Sequence, residues 1–309
     1  MKRNIYSYSK LWMIFFVLMG AACTNQVEDA IPVSGQPIEF SVQSDWKEIP
    51  NTRLNAGRTE FEEGNEIQIF GFHNSPDTVQ KFMYRVGVPK RGQIVTFDSI
   101  SNKWNYSPKR FWPKEGTIDF YAGYPEYSVL NELNDGTKHI MTYKQTVNPL
   151  QLDLLWGESP NHNYAKDSIN NVVITMKHAL AKVNIFFDSS LGEIKQAKVS
   201  AYKAGYFSSA DNGVPNWIVD DETNIQTAFV PSSTNQKRIV DATVFILPKR
   251  ITGLSLIKLD KTEIDVSDKI QNIEFKAGKV YNLNISLKGV RKKNTNSRSI
   301  AMSVRCVSE

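Results

Sequence analysis

The residues best suited to acid–base or metal chemistry at neutral pH are four histidines, His73, His139, His162 and His178, and they are scattered along the chain. None lies in an HExxH pattern or pairs with a cysteine at metal-ligand spacing. The sequence has no GxSxG elbow, phosphate loop or dinucleotide fingerprint. The richest carboxylate cluster is "DNGVPNWIVDDETN" at 211–224, which offers Asp211, Asp220, Asp221 and Glu222 as oxygen ligands. Their spacing is not that of a calcium loop, and a solvated loop is the better reading. His178, just before Ala179 and Leu180 at a strand start, reads as a hydrogen-bonded structural histidine rather than a ligand. No catalytic activity, metal or cofactor is expected.

Cysteine offers the remaining chemistry, and there are only two, Cys23 and Cys306. Lys2, Arg3 and Lys10 precede "LWMIFFVLMGAA", an apolar run too short to span a bilayer as a helix and typical of an export signal over residues 1–22. The run ends in "GAAC", which resembles the lipobox of bacterial lipoproteins, with Gly20 where an aliphatic residue is usual. That resemblance implies lipidation at Cys23, acyl anchoring in the outer membrane and a tether over residues 23–37. An ordinary secretory signal with an incidental cysteine is the other reading. If Cys23 carries lipid, no intrachain disulfide can form. Cys306 is then a small buried hydrophobe or a free thiol.

Charge excludes one large class of partner. The formal net charge is +5, but without the three N-terminal positives 34 basic residues face 32 acidic ones. Basic residues cluster only in "VRKKNTNSR" near the C-terminus, so nucleic-acid binding is not expected.

The elements that position these residues are strands. Runs such as "EIQIFGF" (66–72), "FMYRVGV" (82–88), "TIDFYAGY" (117–124), "NVVITMK" (171–177) and "KVYNLNIS" (279–286) are short, rich in β-branched and aromatic residues, and bounded by turn formers. No stretch sustains a helical apolar period with caps. Many short strands without helices indicate an all-β protein of two antiparallel β-sandwich domains in tandem. The polar stretch "GESPNHNYAKDSIN" (157–170) is the expected boundary, giving an N-terminal domain over 38–165 and a C-terminal domain over 166–289. Residues 290–309 form a linker and one more apolar-alternating segment, with Ile300, Met302, Val304 and Cys306 on one side.

Five blocks occur in the order of the fimbrillin-like (Mfa-like) proteins of Bacteroidetes. "NTRLNAGRTEFEEGNEIQIFGF" (51–72), "NKWNYSP" with "RFWPKEGTIDFYAGYP" (102–125), "MKHALAKVNIFF" (176–187), "FILPKR" (245–250) and "FKAGKVYNLNISLKG" (275–289) resemble that family's opening, aromatic, second-domain and closing blocks. Asn65 and Lys249 depart from the family's usual Asp and Gln. Read physically, Trp104, Tyr106, Phe111, Trp112, Phe120 and Tyr121 are core filling or, alternatively, an aromatic sugar platform.

The resemblance implies transthyretin-like sandwiches and a type V pilus subunit precursor. It further implies cleavage by an arginine-specific protease in the N-terminal domain, at Arg53 or Arg58. A strand from the C-terminal region of another subunit would fill the vacated groove, giving a head-to-tail polymer. Ile300, Met302, Val304 and Cys306 would be the donor face. A C-terminal strand folding back on its own domain, an uncut anchor or tip subunit, and a surface glycan-binding lipoprotein are the alternatives.

Overall fold

Strands form almost throughout. The computed structural model describes residues 31–44, 61–88, 91–125, 129–134, 139–146, 153–188, 191–208, 215–219, 225–231, 242–290 and 299–308. The first half contains β1 (Val33–Pro37), β2 (Phe40–Ser44), β3 (Glu66–Asn74), β4 (Val79–Met83), β5 (Gln93–Asp98), β6 (Lys103–Asn105), β7 (Phe111–Pro113), β8 (Thr117–Tyr124), β9 (Val129–Asn134), β10 (His139–Thr146), β11 (Leu155–His162) and a single helical turn, α1 (Tyr164–Asp167). After it come β12 (Val172–His178), β13 (Ala181–Phe187), β14 (Ile194–Tyr202), β15 (Ala204–Ser208), β16 (Ile218–Val219), β17 (Ile225–Pro231), β18 (Ala242–Ile246), β19 (Ile251–Lys258), β20 (Glu263–Asp265), β21 (Val280–Val290) and β22 (Ser299–Ser308).

The all-β expectation holds, but the first sheet is a closed ring and not a stacked pair. Its order is β3-β5-β6-β2-β12-β11-β8, and β8 pairs back onto β3, so seven strands close a barrel with β4 as a flap on β3. The ring closes because β12 enters it parallel to β2, from Val172↔Phe40 to Met176↔Ser44. The stretch 157–170 continues β11 against β8 and then turns through α1. The sheet therefore takes strands from both sides of residue 165, β11 before α1 and β12 after it, up to His178. Similarly, "FMYRVGV" is not one strand: β4 stops at Met83, and Val88 N–H donates to Arg85 O across a turn holding Gly87 at φ +77°.

Beyond the barrel stand two four-stranded sheets, β18-β13-β21-β22 and β17-β14-β19-β20. Val183, Ile185, Val244 and Leu283 from the first share one buried cluster with Val199, Leu254 and Leu256 from the second. A further sheet, β16-β15-β10-β9, joins β10 of the first half to β15 of the second.

The unbroken apolar run of β3 has a simple cause, because both of its faces are buried. Ile67 and Ile69 point into the barrel cluster, while Phe70 and Phe72 belong to the cluster of the second half. Leu155 and Trp156 of β11 divide in the same way. At Gly71 a Cβ would lie 2.9 Å from Met83 Cβ and 3.1 Å from the Phe120 ring, so the flap can close only over glycine.

Candidate functional site

β2 lies N-terminal to both expected cleavage positions, Arg53 and Arg58. It occupies the ring between β12, with five register pairs, and β6, with the single pair Phe40↔Trp104. Ile38, just before it, alternates in step with Phe40 and Val42, and the three enter the barrel interior at 0%, 3% and 8% exposure. There Phe40 meets Phe120 edge-on at 5.3 Å and Tyr106 at 5.8 Å between ring centroids. Backbone bonds run from Ile38 N–H to Arg110 O (2.8 Å) and from Val172 N–H to Glu39 O (2.7 Å). The Tyr106 hydroxyl donates to Ile38 O at 2.7 Å. Lys109 pairs with Glu39 at 2.9 Å on the exposed side. β1 leads into β2 and pairs with β7 at Val33↔Pro113 and Pro37↔Phe111.

Burial pushes the Tyr106 phenol up to about 12 from its ordinary 10.0. A raised folded value in an acid means that the native state holds the proton more tightly than the unfolded chain. Its contribution is thus fully present below pH 10 and is lost as pH rises through about 12. The barrel is expected to weaken over that window, and Tyr106→Phe should lower its stability by about 1–2 kcal/mol at neutral pH. Denaturant unfolding of both proteins at neutral and alkaline pH checks this, the variant losing the part of the alkaline slope due to this group.

β22 lies antiparallel along β21, with ten register pairs from Tyr281↔Ser308 to Val290↔Ser299. Leu283 and Ile285 of β21 are buried at 0% and 1% exposure, and their partners are Cys306 and Val304. Met302 and Ile300 stand opposite Leu287 and Gly289. The four residues expected as a donor face thus stand, by register, across from Leu283, Ile285, Leu287 and Gly289. β22 is the edge of its sheet and β13 covers the other side of β21, in parallel register. Cys23, Arg53, Arg58 and all of the acidic cluster except 215–219 lie outside the described residues.

His73, His162 and His178 do not converge. His73 is buried and its Nε2 meets Glu115 O at 2.8 Å. His162 touches Ser159 Oγ through Nε2 at 2.7 Å and Asp167 through Nδ1 at 3.3 Å, an order that resembles a serine-hydrolase triad. The Ser159 hydroxyl also donates to Val173 O at 2.8 Å, and Asp167 accepts from Asn163 N–H at 2.8 Å. This trio is a locked turn between β11 and β12, not a nucleophile. Among the described residues no group of three His, Cys, Asp or Glu side chains could hold a metal.

His178 does have a partner that sequence reasoning missed. Its Nδ1 meets Oδ2 of Asp153, whose side chain is only 10% exposed. Lys182, buried at 6%, senses the same carboxylate; burial lowers its pKa and the Asp153 charge pulls the other way. These groups bracket the crossover from β12 to β13, the chain's passage from barrel to second half. Trp217 Nε1–H donates to Ala179 O at 2.6 Å, Ala179 N–H to Leu154 O at 2.8 Å and Gly278 N–H to Leu180 O at 2.9 Å. The "HALAK" segment is therefore a bolt, held by two backbone bonds and one indole bond.

The aromatics of the second block are core. Trp104, Tyr106, Trp112 and Phe120 are buried at 2%, 7%, 0% and 0%, leaving Phe111 at 37% as the exposed member. A sugar platform built on the four buried rings is excluded.

Among the described residues no helix is long and apolar enough to cross a membrane. The fimbrillin-like family profile matches residues 52–302. No curated protein matches the chain in sequence. Among solved structures, a proposed cell adhesion protein from Bacteroides uniformis aligns at 17% identity over 87% of this chain and 97% of its own, with TM-score 0.52. A second one, from Bacteroides ovatus, aligns at 12% identity over 87% and 96%, with TM-score 0.53. The fimbrial anchor protein Mfa2 from Porphyromonas gingivalis aligns at 13% identity over 87% and 97%, with TM-score 0.37. At these identities the two Bacteroides structures support the fold alone. The profile covers most of the chain, and the protein belongs to the fimbrillin-like family.

Proposed function

We propose that this protein is a structural subunit of a cell-surface pilus that supports adhesion. It is exported as a lipoprotein acylated at Cys23, trimmed by an arginine-specific protease at Arg53 or Arg58, and joined head-to-tail to further subunits at the outer membrane. The second half is a transthyretin-like sandwich, in tandem with a first half whose main sheet closes into a barrel. The seat of β2 carries this reading. A cut after either arginine severs β1 and β2 from the rest of the chain, and β2 fills a complete slot between β6 and β12. Its loss bares Trp104, Tyr106, Phe120, Val172 and Ile174, which a strand of alternating apolar residues would cover again. β22 has that alternation, is peripheral to its sheet, and follows a polar linker.

One observation favours an uncut anchor as the second reading: β22 already completes its own sheet along β21. Treatment of the purified protein with an arginine-specific protease, followed by electron microscopy, separates the two. Filaments after cleavage support the assembling subunit; a cut protein that stays monomeric supports the anchor.

A further inference from the structure

A cavity of about 400 Å³ opens beside the barrel wall between the turn after β4 and the Ser107–Pro108 turn. Its size falls in the range of small-molecule sites, about 300–1,000 Å³. Its polar lining consists of Glu66, Arg85, Gln93 and Ser107, with Val86 and Pro108 among the aliphatic surfaces. It contains no aromatic ring.

The walls are fixed by the backbone. Arg85 N–H donates to Arg91 O at 2.9 Å, and Gly92 N–H to the buried Gln68 Oε1 at 3.3 Å, which pins the turn against β3. A Cβ at Gly92 would lie 3.0 Å from the Ile69 backbone, so only glycine allows this approach. Gln93, at 4% exposure, spans floor and far wall: its Nε2–H₂ donates to Ser107 O at 3.0 Å and to Ile94 O at 3.3 Å. Its Oε1 is buried and accepts no hydrogen bond among the described residues.

Two further facts indicate the ligand. Glu66 and Arg85 carry opposite charges into one cavity, yet among the described residues neither has an ion pair or a side-chain hydrogen bond. Mixed charge gives no electrostatic preference for an anion or a cation. A carboxylate, a guanidinium, an amide and a hydroxyl around aliphatic patches instead match the paired hydroxyls and C–H faces of a sugar ring. A nucleotide would lack a stacking ring, and a lipid would lack apolar depth.

We propose that this cavity is a saccharide site that takes a short, uncharged glycan. Glu66 and Arg85 bind adjacent hydroxyls, and the Gln93 amide, fixed by its bonds to Ser107 O and Ile94 O, forms a rigid floor beneath them. The site deepens the adhesive part of the proposed function and does not depend on strand exchange. It is present on the uncut monomer, so its failure would leave the polymerisation result untouched.

The test is saturation-transfer NMR on the detergent-solubilised full-length protein, with the methyl glycosides of glucose, galactose, mannose and N-acetylglucosamine as probes. Transfer to at least one glycoside is expected, with affinity reduced about tenfold or more by Glu66→Gln and by Arg85→Ala. Phe229→Ala, an exposed position on β17, should leave it unchanged. No transfer to any of the four, or transfer that survives both cavity substitutions, would overturn the proposal.

Discussion

Replacing Asp153 with alanine is expected to lower the unfolding free energy by about 3–5 kcal/mol, as breaking one side of a buried charge cluster does. The carboxylate has His178 on one oxygen, and Lys182 nearby is already held below its ordinary pKa by burial. Without Asp153, the Lys182 ammonium loses a charge that offsets its desolvation. The sign with pH follows from the lowered lysine value. The native state holds that proton less tightly than the unfolded chain, so the cost is greatest at neutral pH and eases as pH rises toward 10.5. Denaturant unfolding of Asp153→Ala checks the magnitude. The double variant Asp153→Ala, Lys182→Met checks the cause, since removing the buried lysine charge should restore part of the loss. A single-variant shift under about 1 kcal/mol would mean that backbone bonds alone carry the crossover.

Phe40→Ala should cost about 3–5 kcal/mol in the uncut protein, because it empties a fully enclosed aromatic site against Phe120 and Tyr106. The same substitution gives a sharper result in assembled material. If β2 leaves after cleavage, residue 40 is absent from the mature subunit, and polymer made from the variant should be as stable as wild type. A persistent defect in the polymer would show that β2 stays in its slot. Comparing denaturant midpoints before and after cleavage reads both halves of the prediction.

Much of the fold was legible in the sequence for local reasons. β3, β8, β13 and β19 advertise themselves through β-branched and aromatic runs with turn residues at each end. β11 did not, because Gly157, Ser159, Pro160 and Asn161 carry no apolar period; it is a strand through its partner β8, not its own propensity. The closing of the barrel was equally hidden. It depends on the parallel pairing of β12 with β2, strands more than a hundred residues apart, and nothing local encodes that.

The candidate site shows the same division. The apolar alternation of Ile300, Met302, Val304 and Cys306 was readable, and β22 forms over those residues. That it lies along β21 in ten register pairs was not. His178 and Lys182 were visible as part of a family block, whereas Asp153 is a single carboxylate in the apolar run "LQLDLLW" (150–156), 25 residues before His178, and becomes their partner only through the fold. Tyr106 was readable as a large aromatic, but its bond to Ile38 O spans 68 positions.

The central claim is that the C-terminal strand of one subunit completes the barrel of another. Its most direct test is a chain beginning at Leu54, prepared with and without residues 298–309 and run unboiled on a denaturing gel. A ladder of stable multimers that requires the tail is expected. Monomers from both preparations, or a ladder indifferent to the tail, would contradict it.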